Sequence, residues 1–203
     1  MPTEVGIGTR FKRFGHLTYA AWALAGFISF PATAFASPDL LLDANQVTLS
    51  GAHRYRIVRL TNGARINVAA YDGTKGTGEL EILAHRVLID STSLIQADGA
   101  GYRGLTNAEG EGPGAGSGAL KTSDATGGGA YGGKGGSGVL LSGCTVIAHA
   151  SGGLAYDTTP TNVTLGSSGA SAGSADGDDG GRGGNGGGRI IVRAGRIELD
   201  GTI

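Results

Sequence analysis

Between residues 99 and 188 the chain carries 30 glycines in 90 positions, and many fall at every third residue. Gly129, Gly132, Gly135 and Gly138 form one such run, Gly177, Gly180, Gly183 and Gly186 a second, and Gly166 and Gly169 begin another. A period of three matches an extended left-handed helix with three residues per turn and no internal hydrogen bonds. Glycine at each third position leaves a bare edge on one side, where a neighbouring backbone can approach closely. The N–H and C=O groups must then pair laterally or face water. Collagen follows the same rule with long proline-rich runs. These runs are short and proline-free, which argues against a triple helix. The expectation is an inserted bundle of polyglycine-II-like helices, set against the alternative of a flexible linker. Tyr131, Val139 to Leu141, Val146, Ile147, Leu154, Tyr156, Val163 and Leu165 punctuate the segment as residues able to be buried. Glu109 to Gly118 has period two and no apolar content, so it is expected to be the mobile loop. A Cβ at Gly132, Gly135, Gly180 or Gly183 should therefore disrupt packing, and one at Gly114 should not.

The flanking segments have a different texture. Residues 55–60 and 64–69 alternate apolar and polar around Asn62-Gly63, a strong turn signal. In residues 79–90, Leu80, Ile82 and Ala84 share one parity, whereas Val87 and Ile89 have the other. A corner or bulge near His85-Arg86 is needed to keep both sets inward. The stretch Gly78 to Thr92 aligns without gaps on Gly188 to Thr202, at a constant offset of 110. Gly78/Gly188, Ala84/Ala194, Arg86/Arg196, Asp90/Asp200 and Thr92/Thr202 are identical, and the parity switch recurs at the same place. One strand–corner–strand unit thus occurs twice, with the glycine-rich segment between its copies. The reading is an all-β fold of parallel β-helix-like or sandwich strand layers. Residues 37–98 form the strand layer, 99–188 the glycine-rich insert, and 189–203 the start of a second strand repeat. A coil that stopped in mid-strand would expose an unpaired edge, so the chain is expected to be a fragment of a longer repeat protein.

The first 36 residues read as a cleavable signal peptide. Arg10, Lys12 and Arg13 precede an uncharged apolar run from Leu17 to Phe30, then Pro31 and the small-residue site Ala34-Phe35-Ala36. The run is shorter than the roughly 20 residues a spanning helix needs, which disfavours an uncleaved anchor. Cleavage would start the mature chain at Ser37 and leave 13 basic against 16 acidic residues, a net charge near −3. That balance argues against nucleic acid and an anionic membrane surface as partners. Cys144 is the only cysteine and cannot form an intrachain disulfide; a small buried apolar role is expected for it.

Ile95-Gln-Ala-Asp98-Gly99-Ala-Gly101-Tyr102-Arg103-Gly104 resembles glycine-rich secreted and surface repeat proteins of bacteria, of the type associated with gliding motility. Those proteins carry an ADGxGYRG-like motif after a strand pair, then a GGGAYGG-type run, a Tyr…Pro…Leu-Gly-Ser segment and Gly-Gly-x triplets. Here the same order appears as Gly127 to Gly133, Tyr156…Pro160…Leu165-Gly166-Ser167, and Gly180 to Gly188. The resemblance spans roughly residues 55–203. It implies an architecture and a bacterial surface or secreted location, and it carries no catalytic residues.

No candidate site stands out. His53, His85 and His149 are isolated and lack ligand spacing, so surface or corner positions are expected. Asp176, Asp178 and Asp179 form one acidic cluster that could offer calcium oxygen ligands, but a solvated turn is the expected role. Asn162-Val-Thr164 matches the glycosylation triplet, which matters only in a glycosylating source. Tyr102-Arg103 and Tyr131 could face a glycan or pack against the glycine bundle. Catalytic, cofactor-binding and metal residues are therefore expected to be none. The functional expectation is an exported structural or adhesive surface repeat protein without catalytic activity, whose partners would be further copies of itself or cell-surface polysaccharide. Two alternatives are a polysaccharide- or ice-binding module, and the N-terminal part of a β-helical polysaccharide-degrading enzyme.

Overall fold

A computed structural model describes residues 37–118, 125–157, 163–171 and 181–203. The proposed signal peptide, residues 1–36, lies outside them. Nine strands and no helix occur among the described residues: β1 (Leu40–Asp43), β2 (Gln46–Leu49), β3 (Gly51–Thr61), β4 (Arg65–Val68), β5 (Glu79–Ile89), β6 (Leu94–Gln96), β7 (Gly138–Ser142), β8 (Thr145–Ala150) and β9 (Arg189–Leu199). The fold is all-β, and its two larger sheets are parallel.

The chain deals its strands alternately into those sheets. One has the order β1-β3-β5-β9 and the other β2-β4-β6. Every pairing of β5 with β9, from Glu79↔Arg189 to Ile89↔Leu199, keeps the same offset of 110. The internal sequence repeat is therefore the register of a parallel ladder. β3 lies on β5 with an offset of 29, and β4 lies on β6 with the same offset.

The parity switch is visible along β5. Leu80, Ile82 and Ala84 are buried, His85 and Arg86 are both exposed, and Val87 and Ile89 are buried again. The neighbouring strands bend at the same level, because no partner is assigned to His85 in either ladder while Ala84 and Arg86 are paired on both sides. Inward residues from both sheets (Val58, Leu60, Ile66, Leu80, Ile82, Val87, Ile89 and Ile95) fill the core, each at most 2 % exposed. Burying each side chain is worth about 1.5–3 kcal/mol, which sets the register of the long strands β3 and β5.

Asn62 and Gly63 do form a turn, with φ of 58° and 78°. The strands it joins do not pair with each other. β3 is already bonded to β1 and β5, so β4 crosses into the second sheet. The turn is a corner between layers. Asn62 N–H donates to Asp90 Oδ2 (2.7 Å) and Gly63 N–H to Thr92 Oγ1 (2.8 Å), tying this corner to the equivalent one on the next level.

β7 and β8 were not legible as a unit in the sequence. They form a two-stranded antiparallel hairpin inside the glycine-rich segment, turning at Gly143, whose φ is 62°.

Candidate functional site

Outside that hairpin, the described glycine-rich residues make no strand ladder, and their backbones bond laterally to several neighbours. Gly101 N–H donates to Gly186 O (2.8 Å), Gly186 N–H to Tyr102 O (2.9 Å), and Tyr102 N–H to Gly166 O (3.0 Å). Gly169 N–H reaches Gly184 O (3.1 Å), Ala170 N–H reaches Gly127 O (3.1 Å), and Gly135 N–H reaches Gly153 O (2.9 Å). Residues 163–171 are the spine of this lattice, bonded to segments 101–108, 111–116, 127–130 and 184–187.

The close approaches repeat every third residue. A Cβ on Gly183 or Gly186 would collide with the carbonyl of Gly169 or Gly166, whereas one on Gly181, Gly184 or Gly187 would meet open space. Gly135 and Gly138 are packed against the carbonyls of Gly128 and Thr126, and Gly133 and Gly136 are open. Two expectations need correction. Gly132 faces open space, because the chain bends at 131–133 between the packed Gly129 and Gly135. Gly114 is buried, and a Cβ there would lie 2.7 Å from Leu154 O and from the Tyr156 ring. Its period-two segment is thus a packed member of the lattice and not a free loop. Gly180 lies outside the described residues.

Serine hydroxyls complete the lattice where backbone partners run out, a role the sequence reading missed. Ser168 Oγ, fully buried, accepts from Glu111 N–H (2.7 Å) and donates to Arg103 O (2.8 Å). Ser167 Oγ accepts from Gly114 N–H (2.9 Å), and Ser171 Oγ accepts from Ala108 N–H (2.8 Å). Buried small residues (Ala125, Ala130, Ala170 and these serines) take the place of an aliphatic core. Ser168→Ala should cost on the order of 1–3 kcal/mol, since it strands a buried N–H and a carbonyl. Urea unfolding of the purified chain measures this; an unchanged midpoint would remove the spine role.

One aromatic pair joins the strand layer to the lattice, and a second lies within the lattice. Tyr71 meets Tyr102 edge-on with ring centroids 5.1 Å apart, and Tyr131 meets Tyr156 likewise at 5.3 Å. Burial pushes the Tyr131 and Tyr156 hydroxyls above their ordinary pKa. Tyr131 Oη donates to Asp157 (3.0 Å) and Tyr156 Oη to Leu165 O (2.5 Å). Arg103 is engaged by Glu111 through Nε (3.1 Å) and Nη2 (2.9 Å), and its hydrogen bond holds the Glu111 carboxyl below the usual carboxylate range. The half-buried Tyr102, Arg103 and Tyr131 are thus each partnered within the chain.

The outer face of the four-stranded sheet carries ion pairs between levels. Stacking in register sets Arg86 beside Arg196, and Glu198 Oε1 relieves the repulsion by lying 2.7 Å from each. Arg193 pairs with Glu81 and Arg56 with Asp39. These pairs are exposed and add little stability individually. Among the histidines, His85 and His149 are exposed, and half-buried His53 bonds to Ser50 O (2.9 Å). Cys144 is exposed at the hairpin turn, not buried. The apolar residues around it correct the sequence reading in the same way. Val139, Leu141, Val146 and Ile147 are exposed, as are Leu154 and Val163. Among the described residues no three His, Cys, Asp or Glu side chains are grouped to hold a metal ion, and no helix is long and apolar enough to cross a membrane. Asp176, Asp178, Asp179 and Asn162 lie outside the described residues. An open cleft of about 470 Å³, lined by Leu41, Leu42, Asp43, Arg59, Thr61, Asn62 and Asp90, follows the Asn62 corner. Its Asp43 and Asp90 carboxylates accept bonds from Asn62 and Thr92. Searches against protein-family models, curated proteins and solved structures match none of them.

Proposed function

We propose that the chain is an exported, non-catalytic structural or adhesive surface protein, built as a parallel β-helix with a polyglycine-II-like bundle inserted between two of its coils. The observation that carries this reading is the internal sequence repeat serving as the register of β5 on β9. Sequence repetition that stacks like on like is the mark of repeat architectures, in which each unit buries its face against the next. The lateral bonding and the three-residue rhythm of packed glycines support the polyglycine-II assignment. The buried serines, the paired tyrosines and Arg103 are engaged in packing this lattice. Export rests on the first 36 residues, and the bacterial surface location on the resemblance around Asp98 to Gly104.

Fractionation of source cells, with N-terminal sequencing of the released chain, tests the proposal. The chain should be outside the cytoplasm and should begin at Ser37. Retention inside the cell with residues 1–36 intact would overturn the exported role. Steady release of reducing ends from a polysaccharide panel would overturn the non-catalytic one.

A further inference from the structure

At the bend of the four-stranded sheet the second copy of the repeat drops a side chain. His85 on β5 is matched by Gly195 on β9, at the shared offset of 110. An open cleft of about 300 Å³ lies there, with Ser37, Arg54, Tyr55, His85 and Gly195 in its wall. No Asp or Glu lines it. The side chains of Arg54 and His85 are exposed, and neither has a hydrogen bond or ion pair among the described residues. Other arginines of this face do hold carboxylates: Arg56 takes Asp39, Arg193 takes Glu81, and Arg86 and Arg196 share Glu198.

We infer that this cleft holds a carboxylate of a uronic-acid polysaccharide. The face itself displays the chemistry that it accepts, since Glu198 Oε1 lies 2.7 Å from a guanidinium nitrogen of Arg86 and of Arg196. The planar fork of arginine matches a carboxylate, and at Arg54 that fork is unfilled. Arg56, Arg86, Arg193 and Arg196 carry positive charge beyond the cleft on all three long strands, which suits a row of carboxylates better than one small anion. Nucleic acid would call for exposed rings on which bases stack. The one tyrosine in the lining, Tyr55, is half-buried and already stacked on His53, ring centroids 5.9 Å apart.

Cleavage completes the site. With Ser37 as first residue, its α-amino group stands in the cleft wall and is protonated near neutral pH, so a second cation joins Arg54. This contribution rests on the export reading, whereas that of Arg54 and His85 does not.

Calorimetric titration of the purified exported chain with trigalacturonate at low salt tests the inference. Binding is expected, and it should weaken as salt rises. Arg54→Gln, an exposed change, should weaken it about tenfold, and acetylation of the Ser37 amine about threefold. Lys134→Gln, exposed in the glycine-rich segment, should leave it unchanged. No binding, equal binding by Arg54→Gln or by the acetylated chain, equal binding of neutral maltotriose, or tighter binding of an oligouridylate would each overturn the proposal. Residues 1–36 found intact in the cell would sink the export reading instead, and leave the Arg54 comparison standing as its own test.

Discussion

Gly183→Val is expected to lower the melting temperature by about 5 °C or more, while Gly184→Val leaves it within about 1 °C. The two positions are neighbours in one glycine run, both without positive φ, and differ only in what surrounds them. A side chain at Gly183 meets the Gly169 carbonyl, and the N–H of that same Gly169 is bonded to Gly184 O. Relieving the clash means separating two backbones and losing lateral bonds, each costing on the order of 1–3 kcal/mol. Gly184 has nothing within reach of a Cβ. The run from Gly129 to Gly138 repeats the contrast at Gly135 and Gly136. Thermal melts of the four variants read out the difference, and equal melting temperatures within each pair would show that the glycines act as spacers.

The three-residue rhythm was legible because sterics alone dictate it. Its phase was not, since nothing in the run Gly129 to Gly138 says that Gly132 escapes contact whereas Gly135 does not. Gly114 was misplaced for a related reason. Its segment lacks apolar residues, and hydropathy tracks burial only where side chains fill the interior. In this lattice backbones do the filling, so Ser168 is buried while Leu154 is exposed. The same substitution of rules explains why Val139, Leu141, Val146 and Cys144 were expected inside. In the strand layer, by contrast, the corner at His85-Arg86 and the recurrence of residues 78–92 at 188–202 could be read directly; that the two copies pair with each other came from the structure. There, period-two patterning and burial have the same cause. The strand layer was read as residues 37–98, but the short run Leu40–Asp43 has no apolar–polar alternation to mark it as the strand β1.

Ile82→Ala should destabilise the chain by about 2–5 kcal/mol, and Leu83→Ala by no more than about 0.5 kcal/mol. Ile82 is fully buried at the centre of β5, level with Val192 on β9, whereas Leu83 points outward and is 39 % exposed. Truncating Ile82 leaves a cavity between stiff parallel strands that cannot close around it. For a chain of this size the loss corresponds to about 2–4 °C of melting temperature per kcal/mol. Chemical denaturation of both variants gives the comparison. Equal midpoints would mean that the alternation along β5 does not separate inside from outside.

The long excursion between β5 and β9 has a kinetic consequence. Joining β3 to β5 closes the loop from Gly51 to Leu80, and joining β5 to β9 closes the much longer one from Leu80 to Ile190. The added closure entropy is only about 1.2 kcal/mol, because the cost grows with the logarithm of length. Final stability therefore barely registers the insertion. Folding rate depends more strongly on such distant pairings, so β9 should dock last, after the intervening segment has brought its ends together at Ala97 and Gly188, whose N–H bonds to Ala97 O. Until then the upper edge of β5 is an open template, and the nascent chain is most vulnerable to pairing with a wrong strand during that interval.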